Sequence, residues 1–460
     1  MKKKLLFWAL AIGAAMLVSA CDEEGPVSSE QVTPPTSSAV VPLSSSAVNN
    51  GGVAQSPYGI LPTVKNMDVA LGLYGTWKAT YYKTYLEEAA LYPTLAQDWT
   101  LVFGNYVAAG MIPARIVWDT QNDAYCVIDE SNDSYKKRGC TVSEAIGYGM
   151  LITLFAGDMQ AFNSLWYYNR GYREYQGSNL MPWKVGTFSY ESLVATANSS
   201  SATDADLDIA TALILAYYST GDIAYLNDAL LIVNAIWDNE ISPSGMIYAG
   251  NMPVWKKETS AYNLSYFSPI AIKLFALVDG AHNWTSVLNT MYTYMLNVQA
   301  AGTGVFPDWT DINGVAIDPK NGSATSTYWQ FFHESVRIPW RIAWDYFWTQ
   351  DVRAQQVLGT LNSFISTRSQ GSAANLETSG KVMYSAVAGK ADGSTKSLMP
   401  NWHGAWCLTG MGGNQTWLDE CTASFNTKAM SGFSYFPHIL MTLYSELLNG
   451  LYVKPALLPL

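Results

Sequence analysis

The sequence is poor in charge, in histidine and in cysteine. Only 14% of its 460 residues are charged, and it holds 4 His and 5 Cys. Its 26 Lys and Arg against 37 Asp and Glu give a formal net charge of −11, and the basic residues form no cluster within the folded part. Because a phosphate-binding face needs clustered Lys and Arg, the composition argues against nucleic acid and anionic membrane surfaces as partners. The 49% hydrophobic content is enough for a large core and argues against a disordered chain.

The first twenty residues have the composition of an export signal. Three lysines at positions 2–4 precede an apolar run over 5–16, and small residues lead to Cys21. A membrane-spanning helix needs about 20 apolar residues, and this run is shorter, so we interpret 1–20 as a signal peptide. The residues before Cys21 resemble the lipobox of bacterial lipoproteins, in which the cysteine is lipidated. We therefore expect an exported protein with a lipid anchor in the bacterial cell envelope, at the outer membrane or cell surface.

A spacer follows the lipidation site. Residues 22–57 contain no aromatic residue, no Lys and no Arg, and they are rich in Ser, Pro and Thr. Such a segment has little to bury, which predicts a flexible linker over 21–57, counted with the lipidated cysteine. A single folded domain is then expected over 58–460.

Four cysteines remain in the folded domain. An even number in an oxidising compartment favours disulfides. Three pairings are possible, and we expect the local ones, Cys126–Cys140 and Cys407–Cys421, which close loops of the same length. A zinc site is the alternative, but thiolate ligands usually come in closely spaced pairs, and among the histidines only His403 lies near these cysteines. No metal is therefore predicted.

Helical periodicity runs through most of the folded domain. Apolar residues recur at spacings of three and four, whereas period-two alternation is scarce. This pattern predicts an all-α domain of helices packed in layers. The clearest predicted helices are 144–156, 206–218, 223–237, 268–279, 284–299, 333–349, 351–366 and 435–450, with weaker ones at 68–90 and 96–106.

Acidic residues stand at the starts of three predicted helices. Thr141 and Glu144 have the spacing of a capping box, which by itself would explain Glu144. Glu334 and Arg337 lie three residues apart on one helical face. This pair is either a surface ion pair or, in a pocket, an arginine that keeps a general base ionised.

The third acidic segment is the densest. Asp204, Asp206 and Asp208 fall within five residues at the start of a predicted helix. The helix dipole and capping explain part of this charge. Three like charges exceed the need of one cap, and their repulsion would raise at least one pKa, as a site that keeps a carboxylic acid protonated requires.

Taken together, these segments resemble glycoside hydrolase family 8. The resemblance covers roughly residues 68–450, and its specificity comes from the order of the motifs rather than from any one of them. The motifs are Glu144 with Gly147-Tyr148-Gly149-Met150, the Ala-Thr-Asp-Ala-Asp stretch at 202–206 with Ile209-Ala210, and Arg337-Ile338-Pro339-Trp340-Arg341, with 179–184, 265–269 and 305–309 in the order that the family would place them.

The resemblance implies an (α/α)6 barrel whose open cleft cuts β-1,4-linked glycans with inversion at the anomeric carbon. It makes Glu144 the general acid and Asp204 the residue that holds the sugar at the cleavage point. Many family members have an aspartate as general base three residues before the arginine, where this sequence has Glu334. Glutamate is one methylene longer, and an inverting site needs about 6.5–9.5 Å between its carboxyl groups for a water molecule. Asp308 or another acidic residue remains an alternative base.

Further residues are assigned to substrate binding. Aromatic rings stack on pyranose faces, although each ring could equally belong to the core. Arg337 is expected to orient the base. The residues expected to contact substrate are Asp206, Trp183, Tyr266, Arg337, Asp308 and Trp309.

We therefore predict an endo-acting β-1,4-glucanase, active on cellulose or mixed-linkage β-glucan, that acts as a monomer and requires no metal or organic cofactor. A xylanase or chitosanase of the same fold is the first alternative. A cell-surface glycan-binding lipoprotein is a second, and a structural envelope protein a third. Paired carboxylates on separate helices favour the enzyme, because binding by stacking does not need them.

Overall fold

The computed structural model describes residues 59–91, 96–118, 139–185, 200–256, 260–319, 329–381, 383–393, 398–428 and 434–460. These ranges belong to one compact unit, Gln55–Leu460. The predicted signal peptide, the predicted lipidation site Cys21 and the whole of the predicted linker lie outside them. Within the described ranges, no helix combines the length and the apolar character needed to cross a membrane.

Most of the described chain is helical. Short 3-10 turns at Leu264–Tyr266 and Ser335–Arg337 lead into two of the helices. In chain order the helices are α1 (Met67–Tyr81), α2 (Tyr85–Leu91), α3 (Ala96–Ala108), α4 (Ser143–Phe155), α5 (Met159–Gln176), α6 (Thr203–Thr220), α7 (Ile223–Glu240), α8 (Pro269–Val278), α9 (Trp284–Ala301), α10 (Ile338–Thr349), α11 (Val352–Arg368), α12 (Leu376–Ser379), α13 (Pro400–Thr409), α14 (Gln415–Phe425) and α15 (Tyr435–Leu448).

The strands are short and occur as isolated antiparallel pairs. They tie loops together at the ends of helices rather than forming a layer. The pairs are β1 (Tyr82–Thr84) with β2 (Ala114–Ile116), β3 (Thr141–Val142) with β4 (Lys184–Val185), and β5 (Gln330–Phe331) with β6 (Tyr384–Ser385).

Six helices close an inner ring. Around this ring α4 packs on α6, α6 on α8, α8 on α10, α10 on α13, α13 on α15, and α15 on α4. Five of them are backed by the helix that follows in the chain, α5, α7, α9, α11 or α14, while α15 is backed by α1. Two concentric rings of six helices form the (α/α)6 barrel that the sequence predicts.

Burial separates the inner helices from the outer ones. All of α13 is buried, and in α4 every residue from Ser143 to Thr153 is buried except Glu144. A helix that is buried on all sides lacks the one-sided apolar stripe of a surface helix. The partly exposed carboxylate in the first turn of α4 is therefore exceptional in its environment.

Glycine brings two inner helices close together. A Cβ atom at Gly147 would lie 3.0 Å from the Cβ of Asp208 and 3.1 Å from the carbonyl oxygen of Ala205. Because glycine lacks this atom, α4 and α6 approach closely near their N-terminal ends. That approach places Glu144 and Asp204 beside one another.

The predicted helices are confirmed, with changes at their ends. The predicted helix 68–90 is divided by β1, and the predicted helix 333–349 begins as a 3-10 turn before α10. Four helices were not predicted, namely α5, α12, α13 and α14.

One predicted disulfide is confirmed. Cys407 and Cys421 are bonded, with a Cα–Cα distance of 5.1 Å, and they join α13 to α14. His403 lies beside them, but the two sulfur atoms bind each other rather than a metal. Because Cys126 lies outside the described residues, Cys126–Cys140 stays a prediction.

The buried Glu446 provides a test of this core. It lies on α15, is fully buried, and neither of its carboxyl oxygens has a hydrogen-bond partner among the described residues. Burial raises its pKa well above the usual value of 4.5. The folded state holds this proton more tightly than the unfolded state. The contribution of the protonated side chain to the free energy of unfolding is therefore fully present at low pH, and it is lost as the pH rises towards the folded pKa.

We therefore expect Glu446→Gln to leave the free energy of unfolding nearly unchanged at pH 4 and to raise it by about 1–3 kcal/mol at pH 8. Urea unfolding at the two pH values measures the difference. Glu420→Gln, at an exposed glutamate, is the control and should give no gain at pH 8. An equal effect of Glu446→Gln at both pH values would contradict the interpretation.

Candidate active site

A cleft of about 520 Å³ opens where the inner helices begin. Glu144 and Asp204 lie in the first turns of α4 and α6, and Arg337 directly precedes α10. Helix N-termini carry partial positive charge, which favours carboxylates there. The residues that line the cleft are Trp118, Val142, Ser143, Glu144, Trp183, Ala202, Asp204, Tyr266, His333, Glu334, Arg337, Tyr435 and Phe436.

The Arg337 guanidinium joins three carboxylates. Its Nη1 donates to Oε2 of Glu144 at 2.6 Å and to Oδ2 of Asp204 at 2.9 Å, and its Nη2 donates to Oε2 of Glu334. The arginine side chain is only 3% exposed, and the ring centroid of Tyr266 lies 5.5 Å from its Cζ. One buried cation faces three acids, so a proton on one of them relieves repulsion.

Glu144 is the acid best placed to hold that proton. Burial raises the pKa of Glu144 to about 7, against the pull of Arg337, and the charges of Asp204 and Glu334 add to the increase. The hydroxyl of Tyr435 donates to its Oε1 at 3.3 Å. A carboxyl group that is protonated near neutral pH and reaches a cleft has the properties of a general acid.

Capping does not explain Glu144. The N-cap residue of α4 is Val142, whose side chain makes no capping hydrogen bond. The capping-box interpretation is therefore wrong, and the glutamate points towards Arg337 instead.

Asp204 is the deepest carboxylate of the cleft. Its Oδ1 accepts the backbone N–H of Ala205 at 2.9 Å, and its side chain is 2% exposed. Burial raises the pKa of Asp204 to about 6, although Arg337 and Arg341 oppose this.

Glu334 is the most exposed of the three acids, with 29% of its side chain accessible. Its Oε2 accepts from Arg337 and, at 2.7 Å, from Nδ2 of Asn263. The residue belongs to a turn before α10, so its carboxylate enters the cleft from the side opposite α4 in the inner ring.

The side chain of Asp308 anchors the backbone of the turn that carries Glu334. Its Oδ1 accepts the backbone N–H groups of Phe332 at 3.0 Å, Glu334 at 3.1 Å and Ser335 at 3.0 Å, and the Ser335 hydroxyl at 2.8 Å. Burial and the charge of Glu334 raise the pKa of Asp308 to about 7. Asp308 does not line the cleft. The structure therefore places it as the anchor of the backbone that carries Glu334, and not as a group that touches substrate.

The acidic cluster on α6 divides between different environments. Asp206 is 1% exposed, accepts the backbone N–H of Met181 at 3.4 Å, and lies beside the buried Glu240. Asp208 forms a two-pronged ion pair with Arg341. Asp206 faces another side of α6 than Asp204, whereas Asp208 shares the face of Asp204 but lies one turn further from the helix start, so of the three only Asp204 lines the cleft. The expected contact of Asp206 with substrate does not fit this placement.

The predicted repulsion within this cluster contributes to one pKa increase, since the charge of Asp208 raises the pKa of Asp204, but burial is the larger cause. Burial is the largest cause for Asp204, Asp206 and Asp208, and the charge of Glu240, not of its own helix neighbours, adds most for Asp206.

The three predicted aromatic residues also differ. Trp183 is 40% exposed and lines the cleft, and Tyr266 lines it beneath Arg337. Trp309 is 8% exposed and packs in a small cluster against Trp255, with ring centroids 6.1 Å apart. The structure therefore supports the alternative interpretation, in which Trp309 is a core residue.

Sequence reasoning missed several residues of the cleft. Tyr435 stands at the start of a predicted helix, as the acidic residues do. This shared position could have indicated that it belongs to the cleft. His333 adjoins the predicted base. Trp118 and Phe436 carried no signal beyond their residue type.

The chain is similar to proteins of one known family. A model of glycosyl hydrolases family 8 matches residues 115–419. A protein named Beta-glucanase from Niallia circulans is 30% identical over 346 residues, which cover 68% of this chain and 83% of that protein. Endoglucanase C of Ruminiclostridium cellulolyticum is 30% identical over 228 residues, which cover 49% of this chain and 46% of that protein. The match thus spans about half the length of this second relative.

Solved structures share the fold. A Beta-1,3-1,4-glucanase from Paenibacillus sp. X4 superposes with a TM-score of 0.65 at 22% identity, covering 86% of this chain and 96% of that one. A xylobiose complex from Teredinibacter turnerae superposes with a TM-score of 0.59 at 16% identity, covering 75% and 86%.

The three-carboxylate contact of Arg337 predicts a pH-dependent loss of stability in Arg337→Met. Removing one partner of a buried ion pair costs about 3–5 kcal/mol, because the remaining charges are uncompensated. At pH 5 the loss should be smaller than at pH 8, since the raised pKa values let Glu144 and Asp204 protonate.

Urea unfolding at both pH values tests this prediction. Arg170→Met is the control, because Arg170 pairs with Glu174 on the surface and should cost less than about 1 kcal/mol at either pH. A loss for Arg337→Met that is equal at pH 5 and pH 8 would count against the interpretation.

Proposed function

The chain belongs to glycosyl hydrolases family 8, and on that premise we propose that it cleaves internal β-1,4 bonds of glucan with inversion at the anomeric carbon. The observation that carries the proposal is the contact of one buried arginine with three cleft carboxylates. Relatives named Beta-glucanase and Endoglucanase C support glucan as the substrate. Xylan is the second candidate, because solved neighbours include a complex with xylose at 18% identity and a complex with xylobiose at 16% identity.

In this mechanism Glu144 protonates the leaving oxygen. It holds its proton near neutral pH because it is largely buried beside other acids. As the bond breaks and the leaving oxygen becomes basic, the proton moves from Glu144 to that oxygen. The remaining carboxylate is stabilised by Arg337, which already donates to it.

Glu334 removes a proton from the attacking water. It is accessible to solvent, and its Oε2 accepts hydrogen bonds from Asn263 and Arg337. In this mechanism acid and base act on opposite faces of the sugar, and the position of α4 and the turn before α10 on opposite sides of the inner ring supports this arrangement. Attack on the face opposite the leaving group gives inversion.

Asp204 and two aromatic rings position the sugar. Asp204 offers a carboxylate oxygen to a sugar hydroxyl at the cleavage point. Trp183 and Tyr266 present ring faces to the apolar faces of neighbouring pyranose units. A glycan-binding protein would use such rings too, but it has no need of carboxylates on opposite sides of the bond.

Glu144→Gln should lower kcat by about 10²–10⁴-fold, because the amide cannot protonate the leaving oxygen. Its Tm should remain near that of the wild type. The wild-type kcat should decline on the alkaline side near pH 7, as Glu144 loses its proton. Two assays on mixed-linkage β-glucan, cellulose, xylan and chitosan test this. Reducing-sugar release measures the rate on each substrate, and NMR of the product anomers gives the stereochemistry. Substantial turnover by the variant, or products with retained configuration, would contradict the mechanism.

The base is tested by a second pair of variants. Glu334→Gln should lower kcat by about 10²–10⁴-fold. Asp308→Asn should keep activity within about tenfold of wild type, since the amide oxygen can accept the same four donors. The opposite ranking would make Asp308 the base.

We also propose that residues 1–20 direct export, that Cys21 is lipidated, that 21–57 is a spacer and that 58–460 is the catalytic domain, acting as a monomer. The lysine-led apolar run and the small residues before Cys21 support this. Cys21→Ala should abolish incorporation of a labelled fatty acid and move activity from the membrane fraction to the soluble fraction. Unchanged labelling would overturn the anchor.

A further inference from the structure

We propose that Asn263 is a positioning residue for the general base: its side-chain amide binds one oxygen of Glu334 and leaves the other, Oε1, to take the proton from water. This inference rests on the proposed function, in which Glu334 is the base. Asn263 lies just before the 265–269 stretch and belongs to no acidic motif.

The contacts on Glu334 are unequal. Its Oε2 accepts from Nδ2 of Asn263 at 2.7 Å and from Nη2 of Arg337. Its Oε1 has no donor among the described residues, and the side chain is 29% exposed. A carboxylate oxygen with two donors is a weaker base than its unbonded partner, so proton transfer is directed to Oε1.

The orientation of the Asn263 amide is fixed by its other end. Its Oδ1 accepts the backbone N–H of Ser265 at 3.0 Å and the Ser265 hydroxyl at 2.7 Å. Rotating the amide by half a turn would point Nδ2 at the Ser265 backbone N–H, give up that bond, and place an oxygen against Glu334. The N–H donor must therefore face the base.

The segment that carries Asn263 is itself held rigidly. Asn263 is 1% exposed, and the turn that it caps is bound by Nε of Arg341, which donates to the Ser265 carbonyl oxygen at 2.9 Å. Arg341 is fully buried and paired with Asp208. The donor is thus in place before substrate arrives, as positioning of a catalytic group requires.

This arrangement compensates for the glutamate at position 334, where many family members have an aspartate as general base. Glutamate has one more rotatable bond than aspartate, so fixing its backbone fixes its carboxylate less completely. Asp308 holds the backbone of the turn, while Asn263 and Arg337 hold the carboxylate. The backbone and side chain of Glu334 are consequently fixed by different residues.

Asn263→Asp tests the proposal. The aspartate keeps an acceptor for Ser265 but replaces the donor to Glu334 by a negative charge, which disfavours ionisation of the base. We expect kcat on mixed-linkage β-glucan to fall by about 10–100-fold, with KM changed by less than about threefold. The acid limb of the pH profile of kcat/KM should move to higher pH by about one unit.

Asn239→Asp is the matched control. Asn239 lies on α7, where its Nδ2 donates to the Ala235 carbonyl oxygen at 3.0 Å, and its change should leave the pH profile as in the wild type. Asn263→Ser is the second variant if the aspartate does not fold, because a serine still accepts from Ser265 but cannot reach Glu334. It should move the acid limb in the same direction by a smaller amount.

The outcomes separate this inference from the function on which it rests. If Glu334→Gln is inactive and Asn263→Asp leaves the acid limb of the pH profile unmoved, Asn263 has only a structural role. This result would overturn the role of Asn263 and leave the proposed function intact. If Glu334→Gln keeps wild-type turnover, the proposed base falls, and Asn263 falls with it. A loss of kcat together with the upward movement of the acid limb supports the assignment.

Discussion

The ion contacts of Arg337 are the constraint on which the cleft depends. A buried guanidinium must be neutralised, and here its partners come from α4, α6 and its own turn before α10. The barrel therefore brings helices together around one buried charge. As a consequence of the burial, the pKa values of Glu144 and Asp204 are raised. The same desolvation that makes the cluster costly for stability gives Glu144 a proton to donate near neutral pH.

The sequence predicted helices well where their apolar residues followed a clear period, and it identified Glu144, Asp204, Glu334 and Arg337 from their motifs. It missed α13 because a helix that is buried all round has no polar face to mark its period. It missed α5 because aromatic residues and glycine obscured the pattern. Boundaries near the cleft also shifted, since the residues there form 3-10 turns whose carboxylates and amides bind one another.

The errors in the candidate site have a common physical origin. Asp206, Asp308 and Trp309 were expected at the substrate, yet each is buried and none of them lines the cleft. Distance along the chain does not say which side of a backbone a side chain takes. For Asp308 the burial is informative, because a carboxylate that accepts four donors fixes the local path of the chain. Residues of this kind depend on tertiary structure, and residue type alone does not reveal them.

The pairing of α1 with α15 joins the two ends of the barrel. The joint is reinforced by Asn66, whose backbone N–H donates to Oδ1 of Asn449 at 2.8 Å. During synthesis the first helix emerges long before its partner and must wait, with its apolar face uncovered, for the whole domain to follow. Tyr435, which contacts the acid, lies in the first turn of that last helix. Assembly of the cleft is thereby tied to the closing helix: a molecule truncated before α15 lacks both this helix and one wall of the cleft.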